Sequence, residues 1–282
     1  MINELRGMPV VNAMKEKFTD MIGELNNKNI TPKLAVVRVG EREDDIAYEN
    51  GIIKRFAAVN AEVEVTVLPL EVSQDVLEAT IFALNTDDSV HGIILFRPLP
   101  KHLSIEPIKT LINPDKDVDC MGRINTAFVF EGNKQGYPPC TPQAVIEILD
   151  FYNIELTGKK VTVVGRSLVT GKPLAMMLLE RNATVTICHT KTQNLAGECK
   201  KADILIACAG SANMIGKDYT HLGQTVIDVG INMLDGKLCG DVDYNATAEN
   251  VSAITPVPGG VGTVTTSVLL KHTVQNAMKM IL

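Results

Sequence analysis

The segment VTVVGRSLVTGKPLAMMLL, residues 161–179, decides the fold of the second half of the chain. An apolar, β-branched run ends at Gly165, and an amphipathic stretch begins near Gly171 with Pro173 in its first turn. This order predicts strand, glycine turn and helix. Backbone N–H groups at such a helix start can bind a pyrophosphate, and glycine allows the phosphate to approach closely. The spacing is G-x5-G rather than G-x-G-x-x-G, so a plain turn stays the alternative to a dinucleotide site.

The same alternation of apolar runs and helical periodicity extends along the whole chain. Amphipathic helices lie between the runs, among them residues 8–26 and residues 44–59. The pattern predicts an α/β fold with mainly parallel sheets in two domains, the C-terminal one Rossmann-like. Ligands of open α/β sheets bind at the carboxyl ends of strands, so the cleft between the domains is the expected site. The predicted strands are residues 34–40, 62–70, 91–96, 159–165, 183–189, 203–208 and 225–230.

A long proline-rich segment, residues 97–142, separates the third predicted strand from the fourth. It is too irregular for another plain βαβ unit, so a domain junction is expected near its end. We expect an N-terminal domain over residues 1–138 and a second domain over residues 139–264. The last helix, residues 265–282, is expected to pack back on the first domain.

Composition favours a globular protein that acts on a small molecule. The chain has 282 residues, of which 45% are hydrophobic, and a net charge of -6 without any block of lysine or arginine. It therefore has no electrostatic footprint for nucleic acid or an anionic membrane. The N-terminus shows neither a signal peptide nor a membrane span, which favours a cytoplasmic protein. The six cysteines form no CxxC pair and the histidines are scattered, so we expect reduced structural thiols and no metal site.

Three further motifs can carry chemistry. Where an NAD-preferring fold places a carboxylate, the chain reads CHTKT, residues 188–192, which contains no acid. Arg166, Thr190 and Lys191 instead offer hydrogen-bond donors to the 2′-phosphate of NADP. A solvated polar loop is the alternative. NPDKDVDCMG, residues 113–122, is either a solvated turn or a carboxylate site for a ring with adjacent N–H donors. ITPVPGGVGTVTT, residues 254–266, is either a stiffened turn or a close backbone approach to a flat ligand.

Five motifs in series resemble the methylenetetrahydrofolate dehydrogenase/cyclohydrolase family over essentially the whole chain. They are VVGRSLVTGKPLA, PDKDVD, PPCTP, VIDVGIN and ITPVPGGVG. The resemblance implies a homodimer with an N-terminal folate-binding domain and a Rossmann domain that binds NADP. It implies oxidation of 5,10-methylene-tetrahydrofolate to 5,10-methenyl-tetrahydrofolate, usually followed by hydrolysis to 10-formyl-tetrahydrofolate in one-carbon metabolism.

The resemblance also assigns roles to individual residues. Asp119 matches the pterin-binding aspartate and Tyr48 the active-site tyrosine. Gly259 and Gly260 lie in the loop that the resemblance places beside the folate. The cofactor positions, together with Gly171 of the glycine turn, are Gly165, Arg166, Ser167, Thr190 and Ile231.

Two residues that the family pattern requires are replaced. The family pattern S-x-x-Y-x-x-x-K reads Asp45, Tyr48 and Ile52 here, so isoleucine replaces the lysine. The pattern G-[IV]-x-V-Q-L-P-L-P reads GIILFRPLP, so Phe96 replaces the glutamine. Hydride loss from a carbon between two nitrogens needs alignment but no general base, whereas hydrolysis needs an amine that manages the protons of water. Lys54 points about 120° away from Tyr48 on the helix.

The sequence therefore predicts an NADP-dependent dehydrogenase with weak or absent cyclohydrolase activity, working beside a separate cyclohydrolase. Two alternatives stay open: an ordinary bifunctional enzyme, and a dinucleotide-binding pseudoenzyme that acts through partner contacts. Arg97, next to Phe96, either binds the glutamate tail of the folate or shapes the pocket.

Overall fold

The structure is a computed structural model that describes residues 3–281. The chain divides into two compact units. The described residues up to Asn12 join Thr141–Thr265 in one unit, which we call the nucleotide unit, and Ala13–Cys140 joins the described residues from Thr266 onward in the other, which we call the tyrosine unit. Helices and strands alternate along both units, which confirms the predicted α/β fold class.

The strands follow the predicted order, with four short additions. In chain order they are β1 Asn3–Glu4, β2 Lys33–Val39, β3 Glu62–Leu68, β4 Gly92–Leu95, β5 Lys160–Val164, β6 Thr184–Cys188, β7 Ile204–Ala207, β8 Thr225–Asp228, β9 Asn232–Leu234, β10 Lys237–Cys239 and β11 Ala253–Ile254.

Ten α-helices connect these strands within the described residues. They are α1 Gly7–Asn26, α2 Glu43–Ala57, α3 Gln74–Thr86, α4 Ile108–Leu111, α5 Arg123–Glu131, α6 Cys140–Phe151, α7 Gly171–Glu180, α8 Leu195–Lys200, α9 Tyr244–Thr247 and α10 Val261–Met278. None of the helices in the described part of the chain is both long enough and apolar enough to span a bilayer.

The tyrosine unit contains a three-stranded parallel sheet in the order β3-β2-β4. β2 lies in the middle because its apolar run is buried on both faces, from Leu34 to Val39. β3 alternates glutamate with valine and lies at an edge, where the glutamates reach solvent. The parallel arrangement brings the carboxyl ends of β2 and β4 to one edge of the sheet.

The nucleotide unit contains a six-stranded parallel sheet in the order β1-β11-β8-β7-β5-β6. The central strands β5, β7 and β8 are nearly continuous apolar runs, as strands covered on both faces must be. β6 is one of the two edge strands and exposes Thr184, Thr186 and Ile187. β9 and β10 form a separate antiparallel hairpin.

The first residues depart from the predicted domain boundaries. β1 pairs in parallel with β11, so that Asn3 lies opposite Ala253 and Glu4 opposite Ile254. The described residues up to Asn12 therefore belong to the nucleotide unit rather than to the domain predicted over residues 1–138. The last helix also begins earlier than residue 265, since α10 starts at Val261.

Candidate active site

Helix α2 presents one apolar face that carries Tyr48. Tyr48, Ile52 and Phe56 recur every four residues, and Ile52 and Phe56 are completely buried. Lys54 is exposed. Three acidic residues in the first turn suit the positive end of the helix dipole. The tyrosine is therefore held on the packed side of α2, whereas the nearby lysine lies in solvent.

A buried ion pair fixes α2 against β2 next to the tyrosine. The Arg38 Nε atom donates to Glu49 Oε2 at 2.8 Å, and the Arg38 Nη1 atom donates to the carbonyl oxygen of Gly40. Both side chains of the ion pair are nearly removed from solvent. Because Glu49 follows Tyr48 directly, the pair restrains the turn of α2 that carries the tyrosine.

Tyr48 contacts the aromatic residue that occupies the glutamine position of the family pattern. The ring centroids of Tyr48 and Phe96 are 5.4 Å apart, with the ring planes tilted by 42°. This separation lies within the range of favourable aromatic pairs. Burial raises the pKa of Tyr48 well above its ordinary value of 10.0, and the neighbouring Cys140 and Asp119 raise it further. The phenol therefore stays protonated and can donate a hydrogen bond.

Asp119 is held from both sides by protein donors. The backbone N–H of Cys140, the first residue of α6, donates to Asp119 Oδ1 at 3.1 Å. The Arg97 Nη2 atom pairs with Asp119 Oδ2 at 3.1 Å. Amides of a first helical turn have no partner within the helix and favour a negative charge. The Asp119 carboxylate is thus fixed in orientation while about a fifth of its side chain remains exposed.

The other charged residues of the 113–122 loop have structural partners. Lys116 Nζ donates to the carbonyl oxygens of three residues at the end of α3, namely Leu84, Asn85 and Asp87. Asp117 is buried and accepts from the backbone of Met121 and Gly122 and from Asn125. Its burial raises its pKa from 3.8 to about 6. Asp119 is therefore the acid of this loop that the fold leaves partly accessible beside Tyr48.

The glycine turn after β5 has the geometry that close approach to a ligand requires. Gly165 has a φ of +142°, and a Cβ atom there would lie 2.6 Å from Cys208 Sγ. A Cβ atom at Gly171 would overlap the carbonyl group of Gly165. The Ser167 Oγ atom accepts from the backbone N–H of Thr170 at 3.0 Å, while Arg166 is exposed. The turn is compact and leaves its outer surface open.

The predicted cofactor residues lie along the carboxyl edge of the six-stranded sheet. β5 and β6 pair up to Val164 and Cys188, so the glycine turn and Thr190 emerge from neighbouring strand ends. Thr190 is exposed, and Ile231, which follows β8, has 64% of its surface exposed. This edge is where open parallel sheets bind dinucleotides. The glycine cradle and the open strand ends fit such a group.

A pocket of about 270 Å³ lies at the same edge of the nucleotide unit. It is lined by the segment after β8, including Ile231, and by residues 256–263, including Gly259 and Gly260. Gly259 has a φ of +104°, which favours glycine, and a Cβ atom at Gly260 would overlap the carbonyl oxygen of Pro256. The 256–263 loop is therefore both a tight turn and one wall of a pocket.

Two buried aspartates that the sequence analysis did not single out accept hydrogen bonds from the loops at this edge of the sheet. Asp228, at the end of β8, accepts from the backbone N–H groups of Gly230, Asp241 and Val242. Asp241 accepts from the backbone of residues 209–211, directly after β7. Asp228 stands in the VIDVGIN motif, and an acid at the end of an apolar strand is the signal that could have revealed it.

Sequence reasoning also missed two residues near Tyr48. Arg55 lies seven positions after Tyr48, a spacing that returns to the same helix face. It is half-buried, and its Nε atom contacts Thr266 Oγ1 at 3.4 Å. Cys140 supplies the amide that holds Asp119. The two prolines before Cys140 were the available signal, because proline commonly precedes or opens a helix.

The chain matches two family models that together cover most of its length. The catalytic domain of tetrahydrofolate dehydrogenase/cyclohydrolase matches residues 5–119, and its NAD(P)-binding domain matches residues 139–281. The chain is 51% identical over 272 residues to the bifunctional protein FolD of Clostridioides difficile, which covers 96% of this chain and 95% of that protein.

Solved structures agree with these matches. The bifunctional FolD enzyme of Campylobacter jejuni superposes with a TM-score of 0.97 at 38% identity, covering 99% of this chain and 100% of that one. The Trypanosoma brucei methylenetetrahydrofolate dehydrogenase-cyclohydrolase, solved with NADP cofactor and inhibitor, gives a TM-score of 0.93 at 32% identity and covers 99% of this chain and 98% of that one. The chain therefore belongs to the tetrahydrofolate dehydrogenase/cyclohydrolase family and carries its NAD(P)-binding domain.

Proposed function

We propose that the chain oxidises 5,10-methylene-tetrahydrofolate to 5,10-methenyl-tetrahydrofolate with NADP and has weak or absent cyclohydrolase activity. The proposed lack of cyclohydrolase activity rests on the face of α2 next to Tyr48. Ile52 is completely buried there, and Phe96 packs against the tyrosine ring. The two positions at which the family pattern has lysine and glutamine thus hold hydrocarbon side chains.

The proposal gives each part of the site a task. Asp119 accepts hydrogen bonds from the N–H groups of the pterin ring, and the protonated Tyr48 phenol donates one to the folate. Gly259 and Gly260 allow the backbone to approach the flat ligand. NADP, when bound, supplies the hydride acceptor. The residues that hold it are Gly165, Arg166, Ser167, Gly171, Thr190 and Ile231.

The oxidation does not require the missing amine. The hydride leaves a carbon that is flanked by two nitrogens, and their lone pairs stabilise the resulting amidinium cation. The protein therefore has to orient the folate and exclude water, and no side chain has to remove a proton. Tyr48 and Asp119 orient the folate, and the apolar contact between Tyr48 and Phe96 excludes water.

The hydrolysis, by contrast, needs a group that takes a proton from water. Loss of a general acid or base lowers a rate by about 100- to 10,000-fold. Lys54 is exposed on another side of α2. The guanidinium groups of Arg97 and Arg55 are hydrogen-bond donors that offer no acceptor for a proton of water. A protonated Tyr48 does not replace the lysine, because burial disfavours its phenolate.

Two alternatives to this proposal differ in how the observations bear on them. The Clostridioides difficile and Campylobacter jejuni relatives are called bifunctional, which favours hydrolysis through a group other than the lysine. A dinucleotide-binding pseudoenzyme is the alternative of another class, and the polar setting of Asp119 argues against it, since a partly exposed carboxylate held by two donors suits a ligand. A homodimer, a cytoplasmic location and a separate cyclohydrolase that consumes the product belong to the proposal as well.

One assay tests the proposal with the purified full-length chain, NADP and 5,10-methylene-tetrahydrofolate. NADPH formation and the methenyl absorbance are followed in the same cuvette. We expect methenyl-tetrahydrofolate to accumulate one-for-one with NADPH and to decay no faster than in buffer. NADPH without methenyl accumulation would establish the bifunctional enzyme. Absence both of NADPH formation with NADP and of NADH formation with NAD would favour the pseudoenzyme.

A further inference from the structure

Arg97 lies beside the partly exposed carboxylate of Asp119. It follows Phe96 directly after β4, and its Nη2 atom pairs with Asp119 Oδ2 at 3.1 Å. Its side chain is 28% exposed, so the guanidinium is neither buried in the core nor extended into solvent. The group is therefore committed to Asp119 rather than free to reach a distant part of a ligand.

The hydrogen-bonding capacity of Asp119 explains what this contact achieves. A carboxylate has about four acceptor positions on its two oxygens. The Cys140 amide uses one on Oδ1, and Arg97 uses one on Oδ2. Two donors on different oxygens fix the rotation of the carboxylate about its Cβ–Cγ bond. About a fifth of the Asp119 side chain stays exposed, which leaves room for a pair of parallel N–H donors on the edge of one ring.

We propose that Arg97 is a positioning residue for folate recognition, which locks the Asp119 carboxylate in the orientation that binds two adjacent N–H groups of the pterin. The inference rests on the proposed function. It predicts that the glutamate tail is not the main ligand of Arg97, because the guanidinium is held at the Asp119 carboxylate. Arginine suits this role, since its planar guanidinium holds a carboxylate at a defined angle.

The test compares Arg97→Leu, Arg97→Lys and Arg97→Gln with the wild type in the dehydrogenase assay. We expect Arg97→Leu to raise the KM for 5,10-methylene-tetrahydrofolate by about tenfold or more, as for a lost hydrogen bond to a charged group. The kcat and the KM for NADP are expected to change little. Arg97→Lys should recover part of the loss, because it keeps the positive charge without the planar fork. If Arg97→Leu does not fold, Arg97→Gln gives the same comparison with a polar side chain of similar length.

Three further measurements separate positioning from other roles. In an Asp119→Ala background, Arg97→Leu should have no additional effect on the KM. Arg123→Leu removes an exposed arginine that pairs with Glu106 at 2.7 Å in the same unit, and it should leave the KM unchanged. The Arg97→Leu penalty should also be equal for monoglutamyl and polyglutamyl substrate.

Three outcomes would overturn the inference. A penalty that grows with the number of glutamates would assign Arg97 to the tail. An unchanged folate KM in Arg97→Leu, or a parallel loss of kcat and of affinity for both substrates, would leave Arg97 without a positioning role. The wild-type turnover is read separately, so failure of the proposed dehydrogenase function is distinguishable from failure of this inference.

Discussion

Two side-chain replacements at the Tyr48 face form a consistent pair. In the family that the chain resembles, the glutamine orients the lysine. If the lysine alone were lost, a glutamine at position 96 would lose its partner, and an unpaired buried amide costs about 1–3 kcal/mol. Phe96 avoids that cost because it packs on the tyrosine ring at 5.4 Å. Ile52 likewise fills its site without a charge. Both positions are therefore filled by apolar packing rather than left with a vacancy.

The double variant Ile52→Lys with Phe96→Gln tests this reading directly. We expect it to hydrolyse methenyl-tetrahydrofolate about 100-fold or more above the wild type, since a general acid/base contributes about that much. Ile52→Lys alone should lower the melting temperature, because it buries a charge without its partner. The measurement is the decay of methenyl absorbance with purified protein.

The adjacent position provides the control for added positive charge. Ile53 has 38% of its surface exposed, so Ile53→Lys adds the same lysine to α2 without placing it next to Tyr48. It should leave the hydrolysis rate at the wild-type level. A double variant that folds and oxidises its substrate but still fails to hydrolyse the product would show that the lysine and glutamine are not the missing parts.

At the scale of helices and strands, sequence periodicity predicted the elements that form from one continuous stretch of chain. The helix expected over residues 44–59 is α2, Glu43–Ala57, and each predicted strand is present. β1 was missed because two residues carry no period, and its partner β11 lies some 250 positions later. Local pattern contains no information on such a pairing.

The 113–122 loop shows a second limit of the same kind. A lysine between aspartates suggests local ion pairs, and the pattern left a solvated turn open. Lys116 instead binds three carbonyl oxygens at the end of α3, about 30 residues earlier in the chain. Asp119 could be assigned through the resemblance, but its donors Arg97 and Cys140 required the folded structure.

The edge where β5 and β6 end yields a prediction on coenzyme choice. Arg166 is exposed beside the glycine turn, and Thr190 emerges from the next strand. We expect Arg166→Ala to lower kcat/KM for NADP by about 10- to 100-fold, as for a lost charge-assisted hydrogen bond to phosphate. The value for NAD should change little, because NAD lacks the 2′-phosphate.

Steady-state kinetics with both coenzymes check this expectation. Lys200→Ala, which removes an exposed cation from α8, serves as the control and should affect neither value. Equal losses with NADP and NAD would mean that Arg166 shapes the turn and does not read the 2′-phosphate.

Across the whole molecule, each unit contains a buried carboxyl group that closes a loop. Asp117 accepts three hydrogen bonds in the tyrosine unit, and Asp228 accepts three in the nucleotide unit. In both cases burial raises the pKa from 3.8 to about 6. The folded state therefore holds these two protons more tightly than the unfolded state does.

This difference predicts how stability depends on pH. Because the folded pKa lies above the unfolded value, the contribution of each group is complete below about pH 4 and is lost as the pH rises through about 6. The free energy of unfolding of the wild type, relative to Asp117→Asn, should thus fall by at most about 1.4 kcal/mol per pH unit in that window.

Urea denaturation from pH 4 to pH 7 gives the free energy of unfolding of the wild type and of Asp117→Asn. Asp228→Asn repeats the comparison in the nucleotide unit. A difference that rises with pH would show the opposite sign. It would mean that the backbone donors, rather than burial, dominate the ionisation of these carboxyls.

The pairing of β1 with β11 also bears on biosynthesis. Each unit is assembled from two separate stretches of chain, so a growing polypeptide cannot complete either one from a single uninterrupted segment. β1 is translated some 250 residues before β11, the strand with which it pairs. Division of the chain at the predicted domain boundary near residue 139 would remove β1 from the nucleotide unit and α10 from the tyrosine unit. Both fragments would then expose surface that is paired in the intact chain, and chaperones could bind it.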